Sequence, residues 1–157
     1  MEREEWFEMG MIIENEFTVP AAPDKVMAYL LDVEKVAKCL PGAQLTQIVD
    51  DKTYKGKIKI KMGAMDLTFA GTVVITELDD QSGRVVMKAS GREEKGKGQA
   101  DANVVAQITD QGGQTHVKVS QDINMSGAVA QYGRGMMQDV AGAMMTGFAN
   151  CLKGQIR

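Results

Sequence analysis

Apolar and polar residues alternate along most of this chain, and the alternation gives way to a spacing of three or four in two places. From Met11 to Val19 the run MIIENEFTV puts Ile13, Phe17 and Val19 on one side, the pattern of a half-buried strand. Pro20 stops it, and Pro23 stands where a first helical turn tolerates proline. DKVMAYLL then predicts a short helix presenting Val26, Tyr29 and Leu30. Asp32 can cap a second short helix, VEKVAKCL, which Pro41-Gly42 ends. Neither is long enough to stand alone in water, so both must pack on something.

The next stretch reads as strands joined by tight turns. In YKGKIKIKM, Tyr54, Gly56, Ile58, Ile60 and Met62 face one way, and Lys55, Lys57, Lys59 and Lys61 the other. Gly63-Ala64 turns the chain into a strand with Leu67, Phe69, Gly71, Val73 and Ile75 on one face. After the turn at Asp79–Gly83, Val85, Met87, Ala89 and Gly91 share a face. Beyond the charged EEKGKG segment come Gly98, Ala100, Ala102 and Val104, and beyond Gly112-Gly113 come Val117, Val119 and Ile123. Hairpin-length links between successive strands predict an antiparallel meander. From Ala128 onward the period changes: Gly133, Met137, Val140, Met144, Phe148 and Cys151 recur three or four apart, with polar residues opposite. That is one long amphipathic helix. The predicted fold is α+β: a curved antiparallel sheet of about seven strands wrapped around a long C-terminal helix, with two short helices after the first strand.

Composition adds exclusions. The 157 residues suit a single domain, read as residues 11–157, with residues 1–10 an extension ahead of a start at Met11. A net charge of −3 argues against nucleic acid as the partner, and no apolar run approaches the roughly 20 residues a membrane span needs. Cys39 and Cys151 lie far apart in sequence without CxxC spacing. A reduced, cytoplasmic setting with both thiols as inert packing is the simpler expectation.

The interior reads as roomy. Gly71, Ala89, Gly91, Gly98, Ala100 and Ala102 are small for inward positions, and the helix facing them carries methionines and Gly133, Gly135, Gly142 and Gly147. Two explanations compete. Small residues let a sheet bend and a helix approach closely, or they leave a deformable apolar site of the kind small molecules occupy.

Four segments carry a family resemblance: VAKCLPG at 36–42, GKIKIKMGAMDLTFAGTVVI at 56–75, GREEKGKGQADANV at 91–104 and SGAVAQYGRGMMQDVAGAMMTGFANCL at 126–152. Their order resembles the CoxG family of carbon monoxide dehydrogenase accessory proteins, within the helix-grip superfamily of START domains and polyketide cyclases. The resemblance implies a non-catalytic accessory protein that holds a quinone or lipid in its cavity. It also implies work beside a molybdenum hydroxylase-type carbon monoxide dehydrogenase, and peripheral contact with the inner face of the membrane. Longer members carry an apolar tail after the last helix, whereas this sequence stops at Arg157.

The expected ligand lining is Phe69, Val73, Met87, Ala100, Ala102, Val119, Tyr132, Met136, Val140 and Met144. Tyr132 is the favoured polar contact among the inward polar candidates Asn15, Tyr54, Gln121 and Tyr132. Lys55, Lys57, Lys59 and Lys61 form a stripe suited to an acidic partner or an anionic membrane, or simply to protecting a strand from aggregation. No metal-binding, nucleotide or nucleophile motif is present, and His116 shares the parity of the outer face. No cofactor of its own is expected, and no catalytic residue. Two other readings stand beside the carrier. One is a cyclase or hydrolase-like enzyme, which a deeply buried inward carboxylate would favour. The other is an assembly protein with a solid core.

Overall fold

The computed structural model describes residues 8–156. β1 (Glu8–Val19) is followed by α1 (Pro23–Leu31), α2 (Val33–Cys39) and β2 (Ala43–Ile48). A meander of β3 (Thr53–Met62), β4 (Met65–Asp79), β5 (Arg84–Glu93), β6 (Gln99–Asp110) and β7 (Thr115–Ser126) comes next. A 3-10 turn over Ala128–Tyr132 then leads into α3 (Gly133–Ile156). The seven strands form one antiparallel sheet in the order β1-β7-β6-β5-β4-β3-β2. Tight hairpins join β2 through β7, while α1 and α2 carry the chain from one edge of the sheet to the other.

Three boundaries differ from the periodicity. β1 starts at Glu8, opposite Ser126, so Gly10 and Met11 already pair with Asn124 and Ile123 inside the strand. The edge strand β2 has only Ala43 and Leu45 half-buried, too short an alternation to delimit from sequence. The segment from Ala128 to Tyr132 is a 3-10 turn and not the first turn of the long helix. There the Val129 N–H donates to the Lys97 carbonyl at 2.9 Å, which pins this segment to the β5–β6 turn.

The helix caps behave as expected. Pro23 opens α1, and the Asp32 carboxylate accepts from the Lys35 N–H at the start of α2, meeting one of the unpaired donors of a helix start.

Inward side chains gather into two packed clusters. One contains Val19, Val26, Val85, Ala106, Val117, Val119, Phe148 and Leu152. The other contains Met11, Ile13, Met62, Leu67, Phe69, Met125, Val129 and Met137. α3 serves both: Met137 and Ala141 join the second cluster, and Phe148 and Leu152 the first. The buried stripe is therefore Met137, Phe148, Ala149 and Leu152. Met136, Val140 and Met144, only half-buried, lie on its flank. The even three-and-four spacing of the sequence cannot separate two adjacent sides of one helix.

Candidate functional site

Strand register places Val73 opposite Ala89, and Ala89 opposite Ala102. This inward row belongs to neither packed cluster, and all three residues keep part of their surface exposed. An inward residue at the centre of a sheet can do so only where no side chain of the covering helix fills the space above it. Among the strands, α3 approaches β1 and β3 most closely, toward the two margins of the sheet.

The next row is a crease. Gly56 faces Gly71, and Gly71 faces Gly91, across β3, β4 and β5. A Cβ on Gly71 would collide with the Ser90 carbonyl of β5, and one on Gly56 would stand 2.6 Å from the Gln44 carbonyl of β2. These glycines therefore allow the strands to fold close together, as the bending explanation holds, while the Val73 row beside them is half-buried. On α3 the same division applies. Gly147 abuts Pro41, where a Cβ would stand 2.8 Å from Cγ, whereas Gly135 and Gly142 face open space.

A groove of about 440 Å³ lies along the half-buried flank of α3, within the roughly 300–1,000 Å³ typical of small-molecule sites. Met136, Asp139, Val140, Ala143 and Met144 form one wall, Ile60, Lys59, Lys61 and Gly63 of the β3 side the other, and Pro41-Gly42 one end. Two features read apart in the sequence thus meet here: three of the expected lining residues and two of the four lysines. The Pro41 end is held three ways. Gly42, at φ +80°, accepts from the Lys59 N–H at 2.9 Å. Pro41 rests on Gly147. Cys39, next to the turn, is bonded to Cys151 of α3 with a Cα–Cα distance of 5.4 Å. The expectation of two reduced, merely packed thiols is therefore corrected. The fold brings the last turn of α2 onto α3, a meeting that a sequence separation of 112 residues hides.

The other expected lining residues divide by cluster. Phe69 is buried in the second cluster, with Ala100 and Met136 packed against it. Val119 is buried in the first, with Met87 packed against it. Val73 and Ala102 stand between. The side chain of Tyr132 lies outside the described residues. Of the remaining polar candidates, the Tyr54 hydroxyl donates to the Asp51 carbonyl at 2.5 Å. Burial, followed by the charges of Asp51 and Asp50, raises its pKa. Asn15 differs from Tyr54: its side-chain nitrogen is buried with no hydrogen-bond partner.

The four lysines are exposed on the outer face of β3, and Lys57 pairs with Glu94 at 2.7 Å. His116 does lie on the outer face, where Nε2 sits 2.8 Å from the Glu16 carboxylate.

Sequence reasoning missed Glu93. It is 2% exposed at an inward position opposite Phe69, yet it reads in sequence as part of a solvated charged turn. Its carboxylate accepts from the backbone N–H groups of Thr68, Lys95 and Lys97 at 2.9–3.2 Å. Burial alone pushes its pKa up, but these three donors and the Lys95 charge outweigh it, leaving the carboxyl below its ordinary value. A carboxylate held ionised by backbone donors organises a turn and is poorly placed to trade protons. Among the described residues no group of His, Cys, Asp and Glu could hold a metal ion, and no helix is long and apolar enough to cross a membrane.

A curved antiparallel sheet gripping a long terminal helix is the architecture of START and polyketide cyclase-like proteins, and solved structures agree. The chain superposes on a conserved protein from Geobacillus kaustophilus with a TM-score of 0.83 at 19% identity, covering 93% of this chain and 95% of that one. It matches the ZhuI aromatase/cyclase from Streptomyces sp. R1128 at 0.69 and 14%, covering 94% of each. A START superfamily protein from Mycobacterium smegmatis matches at 0.62 and 13%, over 92% of this chain and 96% of that one. At these identities the likeness establishes the fold alone. The family follows from the sequence: the family model for CoxG, the carbon monoxide dehydrogenase subunit of that name, matches residues 16–157, and the chain belongs to that family. No curated protein matches it by sequence.

Proposed function

We propose that this protein is a non-catalytic carrier. It holds an apolar small molecule, a quinone or lipid, between sheet and helix and works beside a molybdenum-containing oxidoreductase of the carbon monoxide dehydrogenase type. The observation that carries the reading is the row Val73–Ala89–Ala102, half-buried and part of neither packed cluster. The groove along Met136, Val140 and Met144 supplies an apolar approach on the flank of the same helix. Lys59 and Lys61 at its margin, with Lys55 and Lys57 further along β3, would face the acidic surface of a partner or the anionic headgroups of a membrane. A ligand moving from either into the protein would pass them. The chemistry of oxidation or reduction belongs to the partner, and this chain supplies shelter from water and a path.

The cyclase-like reading needs an inward acid or base. The buried inward carboxylate that would favour it, Glu93, spends its lone pairs on backbone N–H groups. The carrier reading is tested by extracting detergent-free protein into organic solvent and analysing the extract by mass spectrometry. A stoichiometric isoprenoid quinone or lipid is expected. An empty extract, together with no uptake of added quinone, would leave an assembly protein as the better account.

A further inference from the structure

The groove ends at Pro41-Gly42, and the attachments on the two sides of that turn differ in kind. Toward the sheet, the Gly42 carbonyl accepts from the Lys59 N–H at 2.9 Å. Toward α3, Pro41 only rests on Gly147, and the Cys39–Cys151 bond makes the covalent link. α3 has anchors of its own, because Phe148 and Leu152 are buried in the first cluster and Met137 in the second. Opening the bond would therefore release α2 and the Pro41 turn from α3, while the turn and α3 each stay on the sheet.

The two sulfurs are not equally open. Cys39 is 4% exposed within the first cluster, whereas Cys151 is half-buried on α3. A thiolate arriving from solvent reaches Cys151 first, and attack on one sulfur makes the other the leaving group. Cys39 has a donor waiting for it. A disulfide sulfur accepts but cannot donate, so at 3.1 Å the Tyr29 hydroxyl donates to Cys39 Sγ. The Lys35 carbonyl, at 3.4 Å, is the other acceptor of that hydroxyl, so its proton can turn to the sulfur as negative charge develops there. Burial, followed by the charge of Asp32, raises the Tyr29 pKa, which keeps the hydroxyl protonated at neutral pH.

We infer that Cys39–Cys151 is an exchangeable latch on the Pro41 end of the groove, opened by a dithiol reductant through Cys151 and eased by the Tyr29 hydroxyl. A reductant thiolate bonds to Cys151 Sγ, the sulfur–sulfur bond breaks, and its electron pair leaves on Cys39, which takes up a proton. The second thiol of the reductant, as its thiolate, then displaces Cys151. Two protein thiols result and the reductant becomes a disulfide, so two electrons and two protons have passed to the protein. The reverse exchange closes the latch. Nothing in these steps involves a ligand, so the latch stands independently of the carrier reading.

The test uses the full chain in its oxidised form. Brief exposure to glutathione, an acid quench, N-ethylmaleimide and peptide mass spectrometry should place the glutathione adduct on Cys151 and the maleimide on Cys39. Tyr29→Phe keeps the ring and loses the donor, so it should slow reduction by dithiothreitol several-fold, and only in the folded protein. In urea its rate should equal that of the parent. Hydrogen–deuterium exchange of the reduced protein should quicken several-fold over residues 33–42 and stay unchanged in β5 and β6. Glutathione on Cys39, or a bond that dithiothreitol opens only in urea, would overturn the latch. So would exchange that quickens throughout the chain, the mark of a structural staple, or that stays unchanged over residues 33–42. An equal rate of reduction in folded Tyr29→Phe would overturn the part assigned to the hydroxyl.

Discussion

The rows Val73–Ala89–Ala102 and Val85–Ala106–Val119 lie close together on one sheet, face the same way and carry residues of the same kind, yet only the second is packed. The difference lies in what covers them. Phe148 and Leu152 from α3, with Val26 from α1, close over the second row. The first borders the crease of Gly56, Gly71 and Gly91, where neighbouring strands contribute no side chain at all. Alternation in a strand decides which face a residue takes. Whether that face is filled depends on the residues of other elements, and here the Val73 row joins neither cluster.

Truncation should tell the two rows apart. Leu152→Ala, at a fully buried position, should cost about 2–5 kcal/mol, and Val73→Ala less than about 1 kcal/mol because its surface is already partly exposed. Urea unfolding of the two variants checks this, and equal losses would erase the distinction between rows. Next in size is the disulfide. Replacing Cys39 and Cys151 by Ser should cost about 2–4 kcal/mol. The thermal midpoint of the parent, and not of the double variant, should fall in dithiothreitol. Enlargement probes the same contrast from the other side. Ala106→Leu overpacks a buried position and should cost about 1–3 kcal/mol, whereas Ala102 is half-buried and outside both clusters. Ala102→Leu should be nearly neutral in unfolding experiments and should reduce ligand uptake.

The smallest effect concerns pH. Because the folded Glu93 carboxyl is held below its ordinary value, its contribution is complete above the unfolded value of about 4.3. It is lost as pH falls through the lower folded value. Glu93→Gln should therefore flatten the acid side of the stability profile, as urea unfolding across the acid range would show.

Much of this was legible in the residues. The inward sets of β3, β4 and β5, the lysine stripe and the terminal helix all follow from period alone. What was hidden depends on pairs distant in sequence. Three glycines on three strands become one crease only when the register aligns them. Met136, Val140 and Met144 separate from Met137 and Leu152 only when the direction of the core is known. Glu93 looks solvated beside Glu94 and Lys95 until the turn folds its backbone donors inward. Asn15 resembles any polar residue near a strand's middle until its neighbours prove apolar.

The bond between Cys39 and Cys151 turns the whole meander and most of α3 into a covalently closed ring, with only β1, the short helices and the last helical turn outside it. Cutting a ring once linearises it without dividing it. A protease that nicked any exposed turn of the meander, such as the one at Lys95–Lys97, would leave a single molecule whose pieces remain joined. Such a nicked molecule could keep its sheet and its helix together until a reductant released the halves.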